Sequence, residues 1–451
     1  MLLILQIIVI SCFIVVIFAL FREKADFLTY SMGAMLVAAV ATYFLSSESI
    51  SMDEFFIAID WEVIFFLIAL FTIVSILEEK SIFQEIARRI TLKFHTNTRK
   101  FFWVICLTST VSAAFIEDVS VAVIFVPMII NTSQKMKINP APILLGMTIC
   151  INLAATLTPF GSAQNILIAN QFFLTSQWFF LNLGFYFIIG TLSTLFFLDK
   201  FILKKHLKDI WVPHCVEFDE PLKKENFEEH ELVILEKPIN SKIFFKNVIA
   251  LIMFFILLII IPNIVFVGLL GMILFVFINP RISESGKKKP DISYYLTKVD
   301  FKLVFFFISL FILVFSFEKA GIIQLLENLV LNIAPSNLFL LSLMILLSTS
   351  FLSGLVDNVP ITVLFIPIIQ VLTGTGFSST PLLIAFVLGI NLGGNILPQG
   401  SAADMMTLEL SKKYCADDLN YKRLLKVGGI FALYHITLGI GYLAFIIFFF
   451  F

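Results

Sequence analysis

Apolar runs of 18 or more residues alternate with short polar segments along the whole chain, as in Leu2–Leu20, Asn247–Ile261 with its continuation to Ile278, and Val427–Phe451. Each is long enough to cross a hydrocarbon core of about 30 Å as a helix. The pattern predicts spans over 2–20, 28–45, 61–78 and 178–199, with a hairpin over 100–132 and a broken span over 141–170. The second half repeats the plan: spans over 245–261, 264–280, 301–318 and 427–450, a hairpin over 337–372 and a broken span over 381–411. The fold class is therefore an all-α polytopic membrane protein. It has about ten transmembrane helices and two re-entrant hairpins, in two inverted repeats with one broken helix each.

Composition agrees: 59% of the 451 residues are hydrophobic and 14% charged, too little polar surface for a soluble fold of this size. Met1–Leu20 lacks a basic leader and a small-residue cleavage site, so it is read as a retained span. The five cysteines (Cys12, Cys106, Cys150, Cys215, Cys415) form no CxxC pair, and neither a disulfide framework nor a zinc site is expected.

A shift of 240 residues lays Asp60–Ile82 over Asp300–Ile322 with nine of 23 positions identical, Asp60/Asp300 and Glu78/Glu318 among them. The same shift lays Phe115–Ile130 over Leu355–Gln370 and matches Pro127 with Pro367. At a shift of 239, Asn152–Ala163 (NLAATLTPFGSA) lies over Asn391–Ala402 (NLGGNILPQGSA) with six of 12 identical. Apolar segments resemble one another by composition, but three blocks sharing Asn, Pro, Gly and Ser in one order indicate a duplication. The organisation read from this is a first repeat over 1–200, a cytoplasmic linker over 201–243 and an inverted second repeat over 244–451.

Five crossings per half force the halves into opposite orientations. With the N-terminus outside, the inner segments hold Arg22 and Lys24, the run Lys80–Lys100, Lys135 and Lys137, Lys200–Lys246, Arg281–Lys302 and Lys412–Lys426. Of 31 basic residues, only Lys319 falls outside. Basic loops stay cytoplasmic, so both termini are expected to face outward from a cell membrane. In the linker, His206, His214, Cys215 and His230 match no metal-ligand spacing.

Few charges interrupt the apolar runs. Glu117 and Asp118 break Phe101–Ile130, and Asp357 with Asn358 breaks Leu338–Ile369 at the matching place. A carboxylate at the bilayer centre costs about 2.5–3.5 kcal/mol on the insertion scale, and such residues commonly line an ion or proton route. The limbs around Glu117–Asp118 read as about 15 residues, roughly 22 Å, which is short of a crossing and points to a re-entrant tip. The alternative is a pair of ordinary helices with a polar turn at the far interface.

The second constellation runs from Asn152 through Thr158, Pro159, Gly161 and Ser162 to Asn165. Its counterpart runs from Asn391 through Gly393, Gly394, Asn395, Pro398, Gly400 and Ser401 to Asp404. A Pro-x-Gly-Ser break in an apolar span ends one half-helix and begins another. It frees carbonyls that, with Asn, Thr and Ser, can replace a small cation's hydration shell, and amides that can hold an anion. His435, a lone intramembrane histidine, reads as a packed, hydrogen-bonded residue.

At these residues the chain resembles the ion transporter superfamily: arsenite permeases, NhaD-type sodium/proton antiporters, citrate transporter-like proteins and divalent-anion/sodium symporters. Ser353–Pro367 (SGLVDNVPITVLFIP) is similar to the hairpin tips of the antiporter and arsenite branches, and the two Pro-x-Gly-Ser segments are similar to the family's broken-helix loops. The resemblance implies one ion site per hairpin tip and neighbouring break, with substrate between them, and a possible homodimer. Carried over by position, one cluster is Glu117, Asp118, Asn152, Thr158, Gly161, Ser162 and Asn165. The other is Asp357, Asn358, Asn391, Asn395, Gly400, Ser401 and Asp404. Sodium ligands are expected at Asp118, Asn152, Ser162, Asp357, Asn391 and Ser401.

The Ser-Asn-Thr tip signature of the dicarboxylate symporters is missing, and Glu117–Asp118 departs from the more usual Asn-Asp or Asp-Asn. Carboxylates at both tips disfavour a dianion until cations or protons neutralise them. The expected function is thus secondary active transport coupled to Na⁺ or H⁺, as sodium/proton exchange or small-ion efflux, with no other cofactor. Coupled transport of a citrate, sulfate or arsenite-type anion is the alternative. No HExxH, GxSxG, Walker or kinase-like pattern points to an enzyme, and nothing points to a nucleic-acid partner.

Overall fold

A computed structural model describes residues 1–21, 26–46, 49–94, 96–116, 118–206, 239–261, 263–282, 288–325, 337–356, 358–374 and 376–451. The first half contains α1 (Leu2–Phe21), α2 (Phe27–Leu45), α3 (Met52–Ile57), α4 (Trp61–Glu79), α5 (Ile82–Phe94), α6 (Thr98–Ala113) and α7 (Asp118–Met136). It continues with α8 (Ala141–Ala154), α9 (Ala163–Gln171) and α10 (Ser176–Leu198), which a π-helical turn, Asp199–Leu203, prolongs. The second half contains α11 (Ser241–Ile260), α12 (Ile264–Ile278), α13 (Ile292–Leu296), α14 (Phe301–Lys319), α15 (Leu338–Leu355) and α16 (Asn358–Gly374). It ends with α17 (Ser379–Gly393), a 3₁₀ turn Pro398–Gly400, α18 (Ala402–Lys413) and α19 (Tyr421–Phe450). Among the described residues the extended structure is one two-residue ladder, Arg281 opposite Lys289 and Ile282 opposite Lys288.

Nine of the described helices are long and apolar enough to cross a membrane. The chain is a multi-pass membrane protein. Large apolar side chains such as Phe18, Phe44, Leu181 and Phe448 stand exposed on the outermost helices, as lipid-facing surface requires.

Local chemistry sets the helix starts, and it repeats. Asp60 caps α4 by accepting from the Val63 amide, and Asp300 caps α14 by accepting from the amides of Lys302 and Leu303. Asn97 and Asn337, also 240 residues apart, cap α6 and α15 in the same way. A side-chain acceptor at this position satisfies an amide that the first turn leaves without a partner. The matched aspartates of the repeat are therefore helix caps.

Helices of the two halves interleave. α2 packs on α14 and α12 on α4; α7 packs on α18 and α16 on α9. Within each half the hairpin's first limb lies along the first half-helix, α6 on α8 and α15 on α17. Glycines set the closeness of the second contact: a Cβ at Gly389 would meet Thr349 Oγ1 at 1.8 Å, and one at Gly393 would meet the Ser350 carbonyl oxygen at 2.4 Å.

Some expectations change. The connections between the predicted spans hold further helices, α3, α5 and α13. Of the two limbs around Glu117–Asp118, read at about 15 residues each, α6 has 16 and α7 has 19, about 24 and 28 Å, because α7 runs on to Met136 with Pro127 inside it. Cys415 is disulfide-bonded, against expectation, whereas Cys12, Cys106 and Cys150 are buried free thiols. Of the expected linker, residues 207–238, with His214, Cys215 and His230, lie outside the described residues. His206 lies 3.1 Å from an Arg423 guanidinium nitrogen, and among the described residues no cluster of His, Cys, Asp and Glu has metal-site geometry.

Candidate functional site

Both broken spans are present as read. α8 ends at Ala154 and α9 starts at Ala163; α17 ends at Gly393 and α18 starts at Ala402. Each break docks on the hairpin of its own half through its glycine. A Cβ on Gly400 would lie 2.9 Å from the Gly354 carbonyl oxygen and would force the backbone to shift, and one on Gly161 would press on the Ala113 carbonyl oxygen at 3.0 Å. Thr158 Oγ1 ties the first break to the hairpin by donating to the Ala114 carbonyl, and it accepts from the amides of Phe160 and Gly161.

The asparagines connect the halves. Asn152, at the end of α8, donates through Nδ2 to Asn395 Oδ1 at 2.8 Å and to Asp404 Oδ1 at 3.2 Å, and its own Oδ1 accepts from Ser401 Oγ at 2.8 Å. Thr148, one turn earlier, donates to Asp404 Oδ1 at 2.6 Å. The mirrored cluster centres on Asn391, at the end of α17. Its Nδ2 donates to Asn165 Oδ1 at 2.9 Å, and its Oδ1 accepts from Gln164 Nε2 at 3.0 Å and Ser162 Oγ at 3.4 Å. All of these side chains are buried, Asp404 at 1% exposure.

The expected grouping is therefore redrawn. Asn152 joins the second break, with Asn395, Ser401 and Asp404, and Asn391 joins the first, with Ser162 and Asn165. The interleaving of the halves causes the exchange, because each first half-helix points its terminal asparagine at the opposite break. Asp118 starts α7, where its Oδ1 accepts from the Val119 amide, and α7 packs on α18, the half-helix that carries Asp404. Asn358, at the start of α16, accepts from Ser353 Oγ, and the same hydroxyl lies 2.5 Å from the Ile390 carbonyl. Glu117 and Asp357 lie outside the described residues.

Sequence reasoning missed Thr148, Gln164 and Ser353. Thr148 stands four residues before Asn152, on the same helix face, and this spacing was a usable signal. A cavity of about 430 Å³ lies elsewhere, lined by Phe83, Leu107, Phe115, Leu251 and Phe255 among others; it is almost wholly apolar and lacks the chemistry of an ion site. His435 is fully buried and 2.7 Å from Thr194 Oγ1, in line with a packed histidine.

The sequence profile described as citrate transporter matches residues 13–390 and again 290–451. A 46 kDa membrane protein of Mycobacterium leprae is 25% identical over 362 residues, covering 78% of this chain and 79% of that protein. An uncharacterised transporter of Methanocaldococcus jannaschii is 26% identical, covering 90% of this chain and 96% of its own. Among solved structures, the YdaH transporter of Alcanivorax borkumensis superposes with a TM-score of 0.64 at 10% identity over 94% of this chain and 98% of that one. MtrF of Neisseria gonorrhoeae, titled as one of a class of antimetabolite efflux pumps, gives 0.61 at 13% identity over 92% and 94%. At these identities the two structures speak to the fold.

Proposed function

The chain belongs to the citrate transporter family of membrane transporters, and from that premise we propose that it is a cation-coupled secondary active transporter working by alternating access. One observation carries the reading: a carboxylate, Asp404, lies fully buried among amides and hydroxyls where two interrupted helices cross. An ionised carboxylate so placed needs a compensating positive charge, or the cost of burying it amounts to several kcal/mol. Half-helix ends with freed carbonyls and amides are the usual means of binding both a coupling cation and an anion at membrane depth.

Coupling follows from the charges. While Asp404 is ionised and uncompensated, it repels an anionic substrate. Binding Na⁺ or H⁺ first removes that repulsion, so the substrate site is competent only in the loaded protein. Asp357, the tip residue of the second hairpin, is assigned to the same route. Re-entrant hairpins in inverted repeats and outward-facing termini in the cell membrane complete the reading. They rest on tip composition, on the repeated order of elements and on the basic residues, of which only Lys319 is placed outside.

The family's description favours a citrate-type anion as substrate. Sodium/proton exchange is the second reading, favoured by the acidic residues at both hairpin tips. Proteoliposomes separate them. Counterflow of labelled citrate, faster with an inward sodium or proton gradient, is expected for the first. Gradient-driven sodium movement that citrate leaves unchanged supports the second. Protein that moves neither these ions nor sulfate or arsenite under any gradient would end the proposal.

A further inference from the structure

Asn165 and Asp404 occupy equivalent places, 239 residues apart, each three residues after the serine of its break, Ser162 or Ser401. Their surroundings follow one plan. Asn165 Oδ1 accepts from Asn391 Nδ2 at 2.9 Å, and Asp404 Oδ1 accepts from Asn152 Nδ2 at 3.2 Å. Ser162 Oγ donates to Asn391 Oδ1, and Ser401 Oγ donates to Asn152 Oδ1. The residues themselves differ in one group, an amide against a carboxylate, and around them Thr148 Oγ1 donates only to Asp404 and Gln164 Nε2 only to Asn391.

That difference decides what each can bind. The Asn165 Nδ2 group donates to the Thr158 carbonyl at 3.0 Å and to the Ala155 carbonyl, holding two carbonyls that the break has freed from helical partners. The amide hydrogens thus do what a cation would do there. In the other half the equivalent residues are Gly394 and Leu397, and an ionised Asp404 has no hydrogen to offer their carbonyls. Among the described residues no lysine, arginine or histidine forms an ion pair with Asp404, and the helix packed against its half-helix is α7, which begins at Asp118.

We propose that the chain holds one monovalent metal cation, at Asp404, and that the equivalent position at Asn165 is closed to cations by its own amide. The ligands are the Asp404 carboxylate with oxygens of the second break, from Ser401, Asn395 and the backbone. A single carboxylate among neutral oxygens suits a monovalent ion; divalent sites collect more negative charge. The inference rests on the coupled-transport reading and adds a count to it: two pseudo-equivalent positions and one ion.

The test is thermal unfolding of purified protein in NaCl, LiCl, KCl or choline chloride at fixed ionic strength and pH, because an ion that binds only the folded state raises its stability by mass action. Sodium is expected to raise the midpoint along a one-site curve, and Asp404→Asn to remove that rise. Asn165→Asp, which withdraws the amide from Ala155 and Thr158, is expected to add a second saturable response. If Asn165→Asp does not fold, the sodium dependence of wild-type uptake supplies the count, with a Hill coefficient near 1 expected and 2 overturning it. An undiminished sodium response in Asp404→Asn overturns the proposal. So does a wild-type midpoint that answers to pH and to no alkali cation. Failure to transport any tested substrate, with the one-site sodium response intact, counts against the transport reading and leaves the cation site standing.

Discussion

Asn152 and Asn395 meet across the two halves, the Nδ2 group of the first 2.8 Å from Oδ1 of the second. Each broken span therefore has its polar centre completed by the opposite half. A rigid-body displacement of one half must break or carry these bonds, so the crossing point is where a substrate or ion can bias the two arrangements of an alternating-access cycle.

The first prediction concerns that contact. Asn152→Ala strips Asp404 and Asn395 of a donor and Ser401 of an acceptor while all three stay buried. Each buried group left unpaired costs about 1–3 kcal/mol. The unfolding midpoint in detergent should fall by several degrees, and gradient-driven uptake by at least about tenfold. Uptake within about twofold of wild type would show that the cross-half network is structural only.

Much of this fold was readable because lipid leaves the backbone few choices: the spans, the two breaks and the shift of 239–240 residues all follow from apolar runs and the placement of Pro, Gly and Ser. The partner of each asparagine was not readable. Sequence order puts Asn152 beside Ser162, whereas interleaving puts it beside Ser401, and only packing between distant helices decides this. The role of Asp60 and Asp300 was equally hidden, since a matched acidic pair can be a site or a cap, and the amide of Val63 or Leu303 distinguishes them.

The second prediction concerns helix spacing. Gly389→Ala places a methyl group where Thr349 Oγ1 and the Leu346 carbonyl already stand, forcing α15 away from α17 and loosening the second broken span. Overpacking of this kind costs about 1–3 kcal/mol. Gly33→Ala, in α2 with nothing within 4 Å of the new Cβ, should be neutral or stabilising by up to about 1 kcal/mol. Paired melting curves check both, and equal midpoints for the two variants would contradict the packing described.

The third prediction concerns sidedness. Lys319 Nζ lies 3.5 Å from a Glu54 carboxylate oxygen, so the loop carrying α3 and the end of α14 share one side. By the distribution of basic residues that side is expected to be the outside. In a cysteine-free background, Asp53→Cys should react with an impermeant maleimide on intact cells, and Lys93→Cys only after permeabilisation. The reverse pattern would invert the topology.

The fourth prediction concerns the amphipathic helix α5, which is not among the candidate spans. Glu85 is buried on it and held by Arg88 at 2.6 Å and Arg89 at 2.8 Å. The Arg88 hydrogen bond, opposed by burial and assisted by Arg89, pulls its carboxyl from the usual 4.5 down to about 2. A carboxyl depressed in the folded state contributes stability that is complete above its unfolded pKa and disappears as pH falls toward the folded value. Wild type should therefore exceed Glu85→Gln by a constant amount above about pH 5.5, on the order of 2 kcal/mol after solvent screening around the arginines. That gap should close as the pH drops from about 4.5 toward 2. Melting curves of both proteins across this range provide the measurement, and a gap that does not change with pH would mean that Glu85 acts through shape and packing instead of charge.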